Sequence, residues 1–310
     1  MRRNTWYLVH NTENMMCMSS QMDIKREVRE FYDQVGWQEV GEGLYQNARF
    51  EDLRPVSRDY IHRCHMRVLR HLEPQGYYLL DAGSGPIQYP EYLDYSRGYS
   101  YRVCADISIV ALIEARKRIG AHGLFVVADI VNLPFKPGCF EGIVSLHTIH
   151  HLPLDEHAQA YTELYRLLAP GSSAVVVNGW DSAPLVVLVN GLIRVAEWVY
   201  ALKARLRGSP VMSNPPSATE NQQSTISDPQ PTGTFVHKHN AAWLKKEIGS
   251  RMPVEIWTWR SVSVRFLRTL IHERWGGRIL LRGLFWLEER FPHFCGENGQ
   301  YPLVVVRKLL

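Results

Sequence analysis

The sequence predicts a doubly wound α/β fold, a mostly parallel sheet covered by helices. Three observations carry this. Short, nearly continuous apolar runs recur at 77–81, 101–105, 124–128, 142–146 and 173–178, as strands buried on both faces require. Helical patterns separate them, and strand–helix alternation favours parallel pairing. The first run ends as Leu79-Leu80-Asp81-Ala82-Gly83-Ser84-Gly85, a turn whose glycines let a ligand approach the backbone closely.

The elements follow in order. Residues 1–22 hold no sustained apolar stretch, so a disordered tail is expected rather than a signal peptide, with Met15, Met16, Met18 and Met22 as alternative starts. In DIKREVREFYDQV, Ile24, Val28, Phe31 and Val35 share one helical face. Gly36 to Gly43 reads as turns. A second helix is expected from a Ser57 cap to Leu72, with Ile61, Val68 and Leu72 inward, ended by Pro74 and Gly76. Residues 23–76 thus form an N-terminal lid or cap, and 77–180 the ligand-binding core.

Within the core, SIVALIEARKRI starts at a Ser108 cap with Ile109, Leu112 and Ile113 on one face. DEHAQAYTELYRLL runs from Asp155 to the stop at Pro170-Gly171. Residues 181–250 read as an insertion. It has an apolar stretch at 184–203, a loop at 207–234 rich in Pro, Ser, Gln and Thr, and a short helix around Ala241–Ile248. Residues 251–310 complete the sheet, with strands near 254–259 and 302–307 around a helical stretch at 263–291 rich in Arg, Trp and Phe.

The 310 residues are 45% hydrophobic and 21% charged, as a packed globular protein requires, and a net charge of +4 is too small to indicate nucleic-acid binding. Five scattered cysteines without a CxxC pair suit a reduced, cytoplasmic protein without structural zinc, and no ligand set has metal spacing. No run reaches the ~18 apolar residues of a membrane span.

Each core strand carries a distinctive residue at its carboxyl end, where ligands bind in such sheets. An acid in the first turn argues against a phosphate there and suits a cationic amine and hydroxyls. A dinucleotide fingerprint would also place a glycine where Gln88 stands. The second strand ends in Asp106-Ile107, a carboxylate for a ribose diol and an apolar surface for an adenine face. The third ends in Asp129-Ile130, an acceptor for an exocyclic amine followed by a backbone N–H for a ring nitrogen. The fourth ends in Ser145-Leu146-His147-Thr148-Ile149-His150-His151. One acid at a strand end is usually a helix cap or turn residue. Three in succession argue for one ligand.

The segments LLDAGSG, CADIS, VVADIVNLPF, FEGIVSLHTIHHLP and YRLLAPGS together resemble class I S-adenosylmethionine-dependent methyltransferases, specifically the small-molecule branch with a methyltransferase type 11 or ubiquinone-biosynthesis-like core. The resemblance implies a Rossmann-like, seven-stranded sheet whose last strand, YPLVVVRK, is antiparallel, decorated by a helical cap. It implies that Gly83, Ser84 and Gly85 line the methionine portion, with Asp81 near its amino end. Asp106 would hold the ribose, with Ile107 against an adenine face, and Asp129 and Ile130 would hold the adenine. Ser145 and His147 would complete the cofactor site, with Tyr32 as a lid contact. The chain departs from the family at Pro86-Ile87, where a third glycine is common.

The implied chemistry is in-line methyl transfer to a small acceptor. Alignment does much of the work, and a base is needed only where the acceptor keeps its proton. His147 and His150 are the catalytic candidates, as base or acceptor contact, while His151 reads as structural. His237 and His239 read as a solvated stretch able to fold over the acceptor. Trp198, Tyr200, Trp275, Phe285 and Trp286 suit ordinary cap packing or the walls of an apolar pocket. With Arg268, Arg274, Arg278 and Arg282, the 263–291 stretch also suits an anionic membrane surface. An RNA or protein acceptor is disfavoured because SLHTIHH stands where Asn/Asp-Pro-Pro-aromatic would be expected. The rivals are a membrane-associated lipid or quinone acceptor and a non-catalytic S-adenosylmethionine-binding protein.

Overall fold

The computed structural model describes residues 22–41, 44–47, 51–206 and 234–310. The expected tail at 1–22 lies outside the described residues except for Met22, which is helical, and the expected loop at 207–234 except for Thr234.

The chain enters through a helix at 22–31 (α1) that passes into a π-helical turn, Tyr32–Gly36. Where turns alone were expected, Glu39–Gly41 (β1) and Leu44–Tyr45 (β2) pair antiparallel. All seven expected strands then join one sheet: β3 (Gly76–Ala82), β4 (Tyr99–Asp106), β5 (Gly123–Val127), β6 (Phe140–Leu146), β7 (Leu168–Val177), β8 (Val254–Arg260) and β9 (Tyr301–Arg307). Their order is β5-β4-β3-β6-β7-β9-β8, with β9 antiparallel to both neighbours and the other pairings parallel. Alternate residues feed opposite faces. Leu80, Val103, Ile143, Val176 and Val304 enter one buried cluster. Leu79, Cys104, Val144, Val175 and Val305 enter the other. Both faces are buried along β3, β4, β6, β7 and β9, which is why those apolar runs are continuous rather than alternating, while edge strand β5 leaves Leu124 and Val127 exposed.

The helices are α2 (Pro55–His65, prolonged as a 3-10 turn Met66–His71), α3 (Ile109–Ile119), α4 (His157–Leu167), α5 (Pro184–Leu206), α6 (Ala241–Trp243, prolonged by a π turn to Ile248), α7 (Val264–Leu270), α8 (Gly277–Arg290) and α9 (Pro292–Asn298). Ser108 caps α3 as expected, accepting from Ala111 N. Two expectations need correction. Ser57 does not cap α2: the helix starts at Pro55, whose fixed φ suits a first turn, and Ser57 Oγ donates to Asp52 Oδ2 at 2.7 Å. On α3 the buried face is Ala111, Leu112 and Ala115, while Ile109 and Ile113 are exposed, because close packing on the sheet favours small residues.

Residues 55–64 pack against α7 and α8 through Tyr60, Ile61, Cys64, Leu267, Leu281 and Phe285. Glu288, 1% exposed, fastens this joint. It accepts from Tyr60 Oη at 2.7 Å, Arg67 Nη1 at 3.0 Å and Ser261 N at 2.8 Å. A buried carboxylate survives only with such partners.

Candidate functional site

The carboxyl ends of β3, β4, β5 and β6 lie side by side, and the expected site residues gather there. Gly83 has φ +75° and Gly85 φ +53°, backbone that favours glycine. A Cβ at Gly83 would also lie 2.2 Å from Thr148 Cγ2. Pro86-Ile87 does not break the path: buried Ile87 adopts φ +57°, the conformation a glycine would supply. Arg118 Nη1, from α3, holds the Ile87 carbonyl at 2.7 Å. Ser84 Oγ bonds the neighbouring Gly85 carbonyl.

Asp106 accepts from Gly85 N at 2.9 Å and Ser108 N at 2.8 Å. Burial lifts its carboxyl to about 6, and Asp81 and Asp33 push the same way. Its remaining lone pairs suit the diol of a nucleoside. Ile107 beside it is half-buried. Asp81, by contrast, is buried and engaged by Arg102 Nε at 3.1 Å, tying β3 to β4. Burial raises its pKa, against the pull of Arg102. Asp129 accepts from Val131 N at 3.1 Å and from Lys25 Nζ at 2.5 Å. The Ile130 side chain is a core residue, so a contact there falls to its main chain. Ser145 is fully buried with Oγ lacking a hydrogen-bond partner.

After β6 the chain turns sharply. His147 has φ +57° and its N–H donates to the Val177 carbonyl at 2.7 Å. Its ring meets Trp259 at 5.0 Å and Tyr301 at 5.7 Å between centroids. His150 Nδ1 donates to Asn178 Oδ1 at 3.1 Å, which leaves Nε2 to accept. His151 Nδ1 donates to the Phe235 carbonyl at 2.8 Å, so Nε2 accepts from the Tyr32 hydroxyl at 2.9 Å. Burial depresses all three imidazoles, His147 to about 3 and His151 to about 4, and Lys238 adds to the effect. They are neutral at pH 7. His237 N bonds the His150 carbonyl, and His239 stacks on Trp243 at 3.5 Å, so this stretch packs beside the site.

The sequence missed how the N-terminal segment closes over these loops. Each loop receives one contact from it. Trp37 lies over Gly85, where a Cβ would come within 3.1 Å of its ring. Asp33 accepts from Ser108 Oγ, Lys25 pairs with Asp129, and Tyr32 bonds His151. Tyr32 also stacks on Trp37 at 4.8 Å. A π turn at a functional segment is a frequent association. Beyond the expected lid contact at Tyr32, the sequence signal was the aromatic run in EFYDQVGW.

Residues 80–176 match the family model for a methyltransferase domain. Among curated proteins, the chain is 35% identical over 79 residues to the demethylmenaquinone methyltransferase of Thermus thermophilus, covering 24% of this chain and 35% of that one. It is 28% identical over 138 residues to a mouse protein named probable tRNA methyltransferase 9B, covering 44% and 29%. It therefore spans about a third of the length of these relatives. The structure of Haemonchus contortus phosphoethanolamine N-methyltransferase 1 aligns with a TM-score of 0.54 at 9% identity, covering 94% of this chain and 49% of that one, a likeness of fold. Residues 80–176 thus match a methyltransferase domain, set in a sheet with the strand order of the Rossmann-like methyltransferase fold.

Proposed function

We propose that this protein transfers the methyl group of S-adenosylmethionine to a small, apolar or aromatic acceptor. The observation that carries the reading is the half-buried Asp106 carboxylate, held by two backbone N–H groups beside the Gly83–Gly85 turn, two strands from His147. Gly83, Ser84 and Gly85 would hold the methionine end, Asp106 the ribose, and Ile107 and Asp129 with the Ile130 main chain the adenine. The donor supplies a methyl group already activated on a sulfonium. The chain's residues align the acceptor, and the Tyr32 and Trp37 cover excludes water. With its low pKa, His147 is a weak base at pH 7 and serves better as a hydrogen-bond acceptor that orients the substrate. His150, whose Nε2 is the accepting nitrogen, takes the same role.

The buried Trp259 ring and the half-buried Tyr301 ring around His147 favour a small acceptor over RNA, as does the net charge of +4. The cytoplasm suits its free Cys64, Cys104, Cys139 and Cys295. Calorimetry with S-adenosylhomocysteine tests the donor half. Asp106→Ala should weaken binding at least tenfold, about 1.4 kcal/mol, and unchanged affinity would remove the ribose assignment. Measured donor binding without turnover on a broad acceptor panel would favour the non-catalytic alternative.

A second reading concerns where the acceptor is met. Among the described residues no helix is long and apolar enough to cross a membrane. Yet α5 exposes Val187, Leu188, Leu192, Val195 and Trp198, and α8 exposes Ile279 and Trp286 beside Arg278 and Arg282. Apolar side chains with tryptophans and arginines suit an anionic bilayer surface and a lipid-like or quinone acceptor. Co-sedimentation with phosphatidylglycerol vesicles tests it: Trp198→Glu should reduce binding, and wild-type protein left in the supernatant would end this reading.

A further inference from the structure

Beside His147, several buried nitrogen atoms without hydrogen-bond partners gather around one indole. Trp259 stands at the carboxyl end of β8 and is 2% exposed. His65 stacks on it, with ring centroids 5.3 Å apart and planes 13° from parallel. Arg260 would normally point to the opposite face of its strand. The pairing of β8 with β9 shifts register between Thr258 and Arg260, and this bulge turns the guanidinium back, so that Cζ lies 5.2 Å from the Trp259 ring and 4.7 Å from Tyr301.

Trp259 Nε1, Arg260 Nε and both His65 ring nitrogens have no hydrogen bond, although Glu91 Oε2 stands 3.8 Å from His65 Nδ1. Indole and guanidinium N–H groups can only donate. Buried donors without acceptors are costly, and neighbouring ones with the same need mark a place built for an incoming oxygen. Glu51 occupies Arg260 Nη1 and keeps the guanidinium in place while its Nε edge stays open. The strand-end histidine His147 is one ring away, since its ring and that of Trp259 are 5.0 Å apart.

We infer that Trp259, Arg260 and His65 form the head of the acceptor pocket and recognise an anionic oxygen group, a carboxylate or a phosphate, carried by an otherwise apolar or aromatic acceptor. The inference rests on the methyl-transfer reading and narrows its substrate class. The acceptor's anion lies against Trp259 Nε1 and Arg260 Nε, its ring or chain against Tyr301, and its nucleophilic atom toward His147. Sequence reading passed over these residues because HRCH and WTWRS are ordinary helix and strand segments until the fold joins them.

Calorimetric titration of protein saturated with S-adenosylhomocysteine tests this, using benzoate, phenyl phosphate and the neutral benzamide as probes. At least one anion should bind tenfold or more tightly than benzamide, and the one preferred identifies carboxylate or phosphate recognition. Trp259→Phe and Arg260→Lys, which keep the ring and the charge, should each weaken that anion at least tenfold and leave S-adenosylhomocysteine affinity within twofold. Wild-type protein that binds the donor product but prefers neither anion overturns the inference and leaves the methyl-transfer reading standing. Variants that hold the anion as tightly as wild type overturn it as well. Failure of S-adenosylhomocysteine itself to bind overturns the underlying reading and this inference together.

Discussion

The Tyr32 hydroxyl donates to His151 Nε2 over 2.9 Å, joining the N-terminal segment to the turn after β6 across 119 residues of sequence. The tautomer is fixed, because His151 Nδ1 is already committed to the Phe235 carbonyl. Tyr32 is therefore a clasp whose ring covers the site and whose hydroxyl holds the cover down. Tyr32→Phe keeps the ring and its stack on Trp37 but removes the bond, worth about 1 kcal/mol. S-adenosylhomocysteine should then dissociate roughly fivefold faster with the fold intact. Stopped-flow release of the ligand measures this, and an unchanged rate would mean the clasp does not gate the site.

The pH dependence of donor binding follows from Asp106. Its folded pKa is raised to about 6 from an ordinary value of 3.8, first by burial. The stability it contributes is thus present below 3.8 and lost as pH rises through about 6, where the carboxylate becomes charged. Donor binding has the opposite preference, since ribose hydroxyls donate to the ionised form. Affinity for S-adenosylhomocysteine should fall as pH drops below about 6, and Asp106→Asn should flatten the profile. A wild-type profile flat between pH 5 and 8 would contradict the assignment.

The imidazoles work in the other direction. His147 and His151 are lowered to about 3 and about 4 from 6.5 by burial. Their contribution to stability is complete above 6.5 and is lost as pH falls through these folded values, each unit of depression being worth about 1.4 kcal/mol. The melting temperature should decline steeply between pH 6 and pH 4. His151→Gln should make that decline shallower, and a slope unchanged by the substitution would show that other groups govern acid unfolding.

The sheet was legible because its inner strands are buried on both faces: runs such as LLDA and AVVVN are continuous, and each ends at a recognisable turn. The Gly83, Asp106 and Asp129 series was legible for the same reason, since strand ends in this topology meet along one edge. Side-chain partners were not. Nothing in the spacing says that Asp81 faces Arg102 on the next strand, or that Lys25 reaches Asp129 over 104 residues. Ile109 and Ile113 misled because helical periodicity identifies a face without saying which face the sheet can accommodate. The Trp259 bulge depends on a register shift, which local sequence does not encode.

Ile87 is where the chain departs from its family and where the fold absorbs the departure. A β-branched residue at φ +57° is strained by about 1–2 kcal/mol relative to glycine. The side chain is fully buried beside Tyr92 and Leu112, and burying an isoleucine contributes about 1.5–3 kcal/mol before the cavity left by its removal is counted. Burial outweighs strain. Ile87→Gly should therefore lower stability by about 1–3 kcal/mol in chemical denaturation, although it introduces the residue the turn geometry favours. Donor affinity should stay within about threefold, less than 1.4 kcal/mol, because Arg118 still holds the carbonyl at position 87 and the backbone path is unchanged. A stabilised Ile87→Gly protein would mean that strain, not packing, dominates this turn. A large loss of donor affinity would mean that the side chain itself shapes the methionine end.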